Sequence, residues 1–270
     1  MFRLVSLNLN GIRSAATKGL IPWAEGLSAD CMGVQELKAQ AADIAGKFES
    51  IAGMRGHFHH AEKKGYSGVG LYSRHEPSDV LIGLGAHDPS GEFDAEGRWV
   101  ELRFDKPGRK LSIISSYFPS GSSSEERQEA KFRWLAIVEP HLARLAGERD
   151  YILVGDINIA HQNQDLKNWK GNQKNSGFLP EERDWMSKLL RLENSARLVD
   201  VYRQLHPDTT DECYTWWSNR GQARAKNVGW RIDYHLATPH IAALAGRTSI
   251  YKDQRFSDHA PLTIDYDFAL

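Results

Sequence analysis

Only two cysteines, Cys31 and Cys213, occur in 270 residues, too few for a disulfide framework. No C-x-x-C pair and no Cys/His spacing of the zinc-binding kind is present, which excludes the common structural zinc sites. Long apolar runs are also missing; those present are broken by charges, so no membrane-spanning helix is expected. The opening MFRLVSLNLNG lacks a basic leader, a long apolar stretch and a small-residue cleavage site. That predicts a cytoplasmic protein with no signal or transit peptide. Neither sign of charge is in excess, with 34 Lys and Arg against 35 Asp and Glu. A uniformly basic, nucleic-acid-coating surface is thereby excluded; any DNA contact needs basic groups gathered on one face and acids elsewhere. The P-loop pattern G-x-x-x-x-G-K-[ST] and the serine-hydrolase elbow G-x-S-x-G are absent, and G-V-G at Gly68 lacks the rest of a dinucleotide fingerprint.

What is there is a well-mixed α/β chain, 41% hydrophobic, with no low-complexity segment. Short apolar, β-branched runs begin at Phe2, Cys31, Gly68, Trp99, Leu111, Tyr151, Trp230, Arg247 and Pro261, and each predicts a strand. Most are continuously apolar, as in strands covered on both faces, whereas the alternation in WVELRF predicts one wetter face. Helices are predicted over Ala39–Ala52, Ser124–Glu139 and Pro180–Glu193. The second starts with a capping box, Ser123 with Glu126, and is ended or kinked by Pro140; the third opens on Pro and two glutamates. No Gly/Ser-rich linker divides the chain, since Ser120–Ser124 is short and leads straight into a helix. The expectation is one domain over 1–270, with two sheets packed face to face and helices outside.

Several strands end in an acid or amide: Asn8, Gln35-Glu36, Asp156-Ile157-Asn158, Asp233, and Asp258-His259 ahead of the last strand. Strand ends are where ligand-binding groups collect in α/β proteins. Any one of these residues alone is as well explained as a cap or turn former. Five such ends converging would make an oxygen-rich pocket suited to Mg²⁺ or Mn²⁺, which prefer hard ligands.

The order N-L-N-G at Asn8, Q-E-L-K at Glu36, Y-F-P-S-G at Tyr117, G-D-I-N-I-A-H at Asp156, W-R-I-D-Y at Asp233 and S-D-H-A-P at Asp258 resembles the exonuclease III type of apurinic/apyrimidinic (AP) endonuclease. This type belongs to the endonuclease/exonuclease/phosphatase superfamily. The segments 165–183 and 215–234 are similar to the DNA-binding loops of that branch. The resemblance spans essentially the whole chain and implies a four-layer αββα sandwich. It implies metal-dependent hydrolysis, with Mg²⁺ or Mn²⁺, of the phosphodiester 5′ to abasic sites in duplex DNA, leaving a 3′-hydroxyl and a 5′-deoxyribose phosphate. A 3′-phosphodiesterase or 3′→5′ exonuclease activity on blocked 3′ ends, a monomeric state and no membrane partner go with it.

Position by position, Asn8, Glu36 and Asp258 resemble the metal-site residues, Glu36 foremost, with Asp156, Asn158 and His259 in the same site. Asp156 and Asn158 match the pair that handles the attacking water, Tyr117 a phosphate-contacting tyrosine, and Asp233 with His259 an Asp–His pair. Asp156 and His259 are rival bases; the reading taken is Asp156 as base and His259, anchored by Asp233, on the phosphate. Asn10 departs from the pattern, since some relatives carry Asp there.

The loops read as binding surface on composition as well. Lys170, Asn172 and Asn175 stand in the first, Trp216, Trp217, Arg224, Lys226, Trp230 and Arg231 in the second. Basic groups and amides contact phosphates, and aromatics wall a pocket for a sugar without a base. Lys63, Lys64 and Tyr66 are weaker candidates for DNA contact. The H-F-H-H run at His57 has no partner motif and reads as a surface loop or edge strand, and the cysteines are assigned no chemistry. Two other readings stand against the nuclease: a superfamily relative acting on a lipid headgroup or inositol phosphate, and a DNA-binding module with a decayed site.

Overall fold

The computed structural model describes residues 1–191 and 193–270. Among these, seven strands form one mixed sheet and six another. The first runs, edge to edge, Ala245–Ile250, Leu262–Tyr266, Phe2–Asn8, Cys31–Gln35, Val69–Ser73, Met54–His59 and Ser50–Ile51. The second runs Val199–Asp200, Asp233–Ala237, Asp150–Asp156, Leu111–Tyr117, Trp99–Arg103 and Asp79–Ile82. Their inner faces interlock: Leu4, Cys31 and Leu71 of one sheet share a buried cluster with Leu102, Ile113 and Val154 of the other. Outside, Ile12–Thr17 and Leu20–Leu27 cover the first sheet, while Glu125–Glu148 and Pro180–Leu189 cover the second. The result is the four-layer αββα sandwich. No helix among the described residues is long and apolar enough to cross a membrane.

The expected strands form at every run, with one split. WRIDYHLA breaks at Arg231-Ile232, so that Gly229–Trp230 pairs with Trp216–Trp217 and only Asp233–Ala237 joins the large sheet. The alternation in WVELRF does not mark a wet face. Glu101 is buried and accepts from Ser112 (2.7 Å) and Arg103 (2.8 Å), so the polar positions meet one another rather than water. The helix expected over Ala39–Ala52 shrinks to Ala41–Ile44. Gly46 interrupts it at positive φ, Ala52-Gly53 turn the chain at positive φ again, and Ser50–Ile51 becomes an edge strand instead. The helix at Ser124 is capped by Ser124 itself, whose Oγ accepts from Arg127 N, and not by Ser123. It then continues through Pro140 to Glu148. Pro140 and Ala136, whose carbonyl loses its donor there, are both exposed residues, so the missing bond falls on the solvent side of the helix. The third helix is Pro180–Leu189. The H-F-H-H run begins on Met54–His59, where His57–His59 extend past the two residues paired with Ser50–Ile51 and so run along the sheet edge, as expected.

Register sets the site. Tyr117 pairs with Asp156 in the parallel ladder, and Asp233 pairs with Asp156 in the antiparallel one. Asn8 and Gln35 pair at the matching end of the first sheet, immediately before Glu36. The two sheets therefore present their polar ends at one edge of the sandwich.

Two buried features hold this edge. Gly155 has φ 147, and a Cβ there would collide with the Ser116 carbonyl oxygen across the ladder. Gly155→Ala is expected to destabilise the fold by about 3 kcal/mol or more, read as a fall in unfolding midpoint. Behind the loops, Arg231 bonds Asp165 (2.8 Å) and Asp200 (2.7 Å), and Arg203 adds a second cation on Asp165. Burial pushes the Asp165 carboxyl up, but Arg231 and Arg203 outweigh it and hold it at about 2. A depressed carboxyl stabilises the fold fully above its ordinary pKa, and that contribution is lost as pH falls toward 2. Asp165→Asn is expected to cost about 3 kcal/mol at neutral pH, with the gap to wild type narrowing on acidification in denaturant titrations.

Candidate active site

Each strand end turns sharply into the cleft. Asn10, Glu36, Lys38 and Asn158 all have positive φ, between 45° and 57°. Asparagine tolerates this region; Glu36 and Lys38 do so less readily, and such residues persist where surrounding structure holds them. Glu36, Asp156 and His259 each bring one ligand atom to within 4.8 Å of one another. Like charges this close need countercharge or donors between them, and the structure supplies both. Asn8, buried at the end of its strand, donates from Nδ2 to Glu36 Oε1 (2.9 Å) and Asp156 Oδ2 (3.0 Å). Its Oδ1 accepts from Asn10 N, so Asn8 turns its amide hydrogens, not its oxygen, to the carboxylates. Lys38 Nζ sits 2.8 Å from Glu36 Oε2.

His259 is held from the opposite side. Its Nδ1 lies 2.8 Å from Asp233 Oδ2, which leaves Nε2 facing Asp156 Oδ2 at 3.7 Å. The Asp233 amide is fixed in turn by Thr215 Oγ1 (3.2 Å). Burial works against charge on His259, but Asp233 and Asp156 outweigh it and raise its pKa far above the ordinary histidine value. Burial raises Asp156, with Asp233 and Glu36 adding to the effect and His259 opposing it. The Tyr117 hydroxyl is pushed well up by burial and then by Glu36 and Asp156, so it remains a proton donor.

Asn158 straps Asp156: its N–H donates to Oδ1 (2.9 Å) and its Nδ2 to Oδ2 (3.2 Å), while Nδ2 also reaches the Phe118 carbonyl. Asp258 lines the same cleft, but its Oδ1 accepts from Asn10 Nδ2 (2.8 Å) and its Oδ2 from Trp216 Nε1 (3.2 Å). It stands outside the close group of Glu36, Asp156 and His259.

These residues floor an open cleft of about 670 Å³. Trp216 and Trp230, half-buried and edge-to-face at 6.2 Å, form one wall. Asn172, Lys174 and Asn175 stand on another, beside the Ser120–Ser124 loop, whose Gly121 packs against Ser176. Asn175 Nδ2 donates to Asn172 Oδ1, so the two amides face the cleft as a linked pair. Lys170 and Lys226 are exposed on the flanking loops but do not line the cleft. Arg224 lies off the cleft too, half-buried, its guanidinium 4.8 Å from the Trp217 ring and bonded to the Lys252 carbonyl. Two loop residues read from the sequence as surface groups are interior. Arg231 is 1% exposed between Asp165 and Asp200, and Trp217 is 1% exposed with its Nε1 on Asn227. Tyr66 has its hydroxyl bonded by Arg98 (3.1 Å) and Arg127 (2.9 Å).

Three residues of the site carried no usable signal in the chain. Lys38 stands in the Q-E-L-K motif, yet only the left-handed turn at Glu36 brings it onto that carboxylate. Thr215 meets Asp233 across the gap where the predicted strand splits. Arg98 is buried, places its guanidinium 4.9 Å from the Tyr117 ring and donates to the Tyr117 carbonyl; nothing in sequence spacing joins residues so far apart.

Comparison with known proteins agrees with this geometry. Residues 5–259 match the endonuclease/exonuclease/phosphatase family. An exodeoxyribonuclease of Bacillus subtilis is 33% identical over 97% of this chain and 98% of its own length. The DNA repair nuclease APEX1 of Danio rerio is 34% identical over 97% of this chain and 81% of its own. An AP endonuclease structure from Archaeoglobus fulgidus superposes with a TM-score of 0.85 at 26% identity, covering 99% of this chain and 100% of that one. The chain belongs to the endonuclease/exonuclease/phosphatase family, as a nuclease of the exonuclease III type.

Proposed function

We propose that the cleft hydrolyses the phosphodiester on the 5′ side of an abasic site in duplex DNA, leaving a 3′-hydroxyl and a 5′-deoxyribose phosphate. The observation that carries this reading is the juxtaposition of Glu36, Asp156 and His259 at the floor of a cleft walled by Trp216 and Trp230. A base-less sugar offers no ring to stack in the duplex, and an aromatic-walled recess beside the hydrolytic groups suits its entry. The same site would trim blocked 3′ ends and digest 3′→5′, because the bond broken is the same.

Nucleases of this family depend on a metal ion, and the hard oxygen donors of Glu36 and Asp156 fit Mg²⁺, with Mn²⁺ as a substitute. Glu36 would be the principal ligand, because Asn8 offers hydrogens rather than oxygen and Asp258 already accepts from Asn10 and Trp216. The ion supplies charge neutralisation at the phosphate and the departing 3′-oxygen.

The remaining chemistry falls to side chains. Asp156, made more basic by burial, takes the proton of the attacking water, and Asn158 holds its carboxylate in line. His259, charged and oriented by Asp233, donates from Nε2 to a phosphate oxygen, and the Tyr117 hydroxyl donates to another as charge builds. The water oxygen becomes part of the 5′-phosphate as the bond from phosphorus to O3′ breaks. Lys174 and the amides of Asn172 and Asn175 contact the flanking strand, with Lys170, Arg224 and Lys226 adding positive charge around them. This reading takes the whole of 1–270 as one domain acting as a cytoplasmic monomer; residues from Phe2 to Leu270 contribute to the shared core.

A 5′-labelled duplex with one abasic-site analogue tests the proposal, beside a normal duplex with a recessed 3′ end. Incision 5′ to the analogue is expected with Mg²⁺ and not with EDTA. Glu36→Ala is expected to lose at least about 100-fold in cleavage while binding the duplex within about threefold of wild type. Incision that persists in EDTA, or none on either substrate with Mg²⁺, would overturn the reading.

A further inference from the structure

The Asn158 turn is fixed from behind by a group that faces away from the cleft. Lys131, from the helix Glu125–Glu148, and Glu182, from the helix Pro180–Leu189, are both fully buried and form an ion pair at 2.6 Å. Lys131 Nζ also donates to the Asn158 carbonyl oxygen at 2.8 Å. Glu182 spends its remaining capacity on the Leu179 N–H (3.0 Å) and Gln128 Nε2 (3.1 Å). Replacing a buried ion pair by apolar side chains is often neutral or stabilising, so the core alone gives little reason for this one. Lys131 is four residues before Leu135 and three before Trp134, on the apolar face of its helix, where an aliphatic side chain would ordinarily stand.

Resting on the nuclease reading above, we propose that Lys131 is a positioning residue for hydrolysis, fixing the Asn158 peptide so that Asn158 holds Asp156 aligned with the scissile phosphate. Asn158 contacts both Asp156 oxygens, one through its backbone N–H and one through its side chain. Both contacts require the left-handed backbone at Asn158, φ 57. The Lys131 ammonium anchors the far end of that residue at its carbonyl. Gly177 packs against the same oxygen: a Cβ there would lie 3.1 Å from it, and the Gly177 carbonyl accepts from Ala160 N at 2.8 Å. The Asn172–Gly177 wall, the Asn158 turn and the two outer helices therefore meet at one buried ammonium group.

The test is steady-state incision of abasic duplex by Lys131→Met/Glu182→Leu, which removes both charges together and so leaves no unpaired ion in the core. With folding checked by circular dichroism and thermal melting, kcat is expected to fall about 10–100-fold with KM within about threefold, since the Asn158 carbonyl loses the ammonium group that donates to it. In an Asn158→Ala background, which leaves only the backbone N–H contact to Asp156 for Lys131 to fix, the same pair of substitutions is expected to cost less than it does in the wild type. Lys131→Arg, which keeps a donor beside Asn158, is expected to retain kcat within about fivefold. If the double variant does not fold, Lys131→Met/Glu182→Gln, which keeps an acceptor for Leu179 N–H, is measured in its place. Wild-type kcat in a folded double variant, a loss that multiplies fully with that of Asn158→Ala, or failure of both variants to fold would overturn the assignment. Wild-type incision is the control: its absence would remove the nuclease reading itself, whereas its presence beside an unaffected variant would remove only the role of Lys131.

Discussion

Carboxylates do not gather in a half-closed cleft without help, and the packing of Glu36 against Asp156 is the constraint on which the polar edge depends. One amide, Asn8 Nδ2, donates to both, and two cations flank them, Lys38 on Glu36 and His259 facing Asp156. Each of these depends on a further residue. Asn10 fixes the Asn8 oxygen, Asp233 fixes His259, and Thr215 fixes Asp233. The cluster is still short of positive charge, since Asp233 and Asp258 lie beside it as well. A metal ion held at Glu36 and Asp156 would supply that charge, and its affinity would derive from repulsion already present in the folded chain.

Strand register delivers these groups; the strands and the polar residues at their ends were legible before the structure, whereas their pairing was not. The runs ending in Asn8, Glu36 and Asp156 are apolar enough to be strands covered on both faces, and their last residues meet where parallel and antiparallel ladders bring Tyr117, Asp156 and Asp233 side by side. What could not be read was anything decided by turn geometry. The helix expected over Ala39–Ala52 failed because the chain takes left-handed turns at Gly46 and Ala52 that apolar periodicity does not register. Pro140 did not stop its helix, because the carbonyl it strands faces solvent. Asn8 shows the same limit within the site: its place was evident from its motif, whereas the direction of its amide follows from the Asn10 backbone and has no counterpart in residue type or spacing.

Charge placement resolves the near-neutral composition in a way the loops alone did not reveal. Arg231 and Arg203, counted by sequence among basic residues, neutralise Asp165 and Asp200 in the interior. That buried lattice ties the 165–183 loop to the strand carrying Trp230 through the Arg231 N–H bond to the Asp165 carbonyl. Of the loop cations at the surface, Lys174 lines the cleft, while Lys170 and Lys226 stand on the segments that flank it. Affinity for a polyanion then comes from local arrangement rather than net charge. Buried arginines in such loops act as scaffolding for the tryptophans and amides that face outward.

The central claim, that the Glu36–Asp156 cluster is held short of countercharge so that a divalent cation completes it, is tested most directly by thermal unfolding with and without Mg²⁺. Ligand that binds only the folded state stabilises it by about 2.7 kcal/mol at a hundredfold excess over Kd. The account predicts a higher midpoint for the wild type in Mg²⁺ than in EDTA, and a Glu36→Ala variant whose midpoint does not respond to Mg²⁺. A wild-type midpoint unmoved by Mg²⁺, or an equal rise in Glu36→Ala, would contradict it.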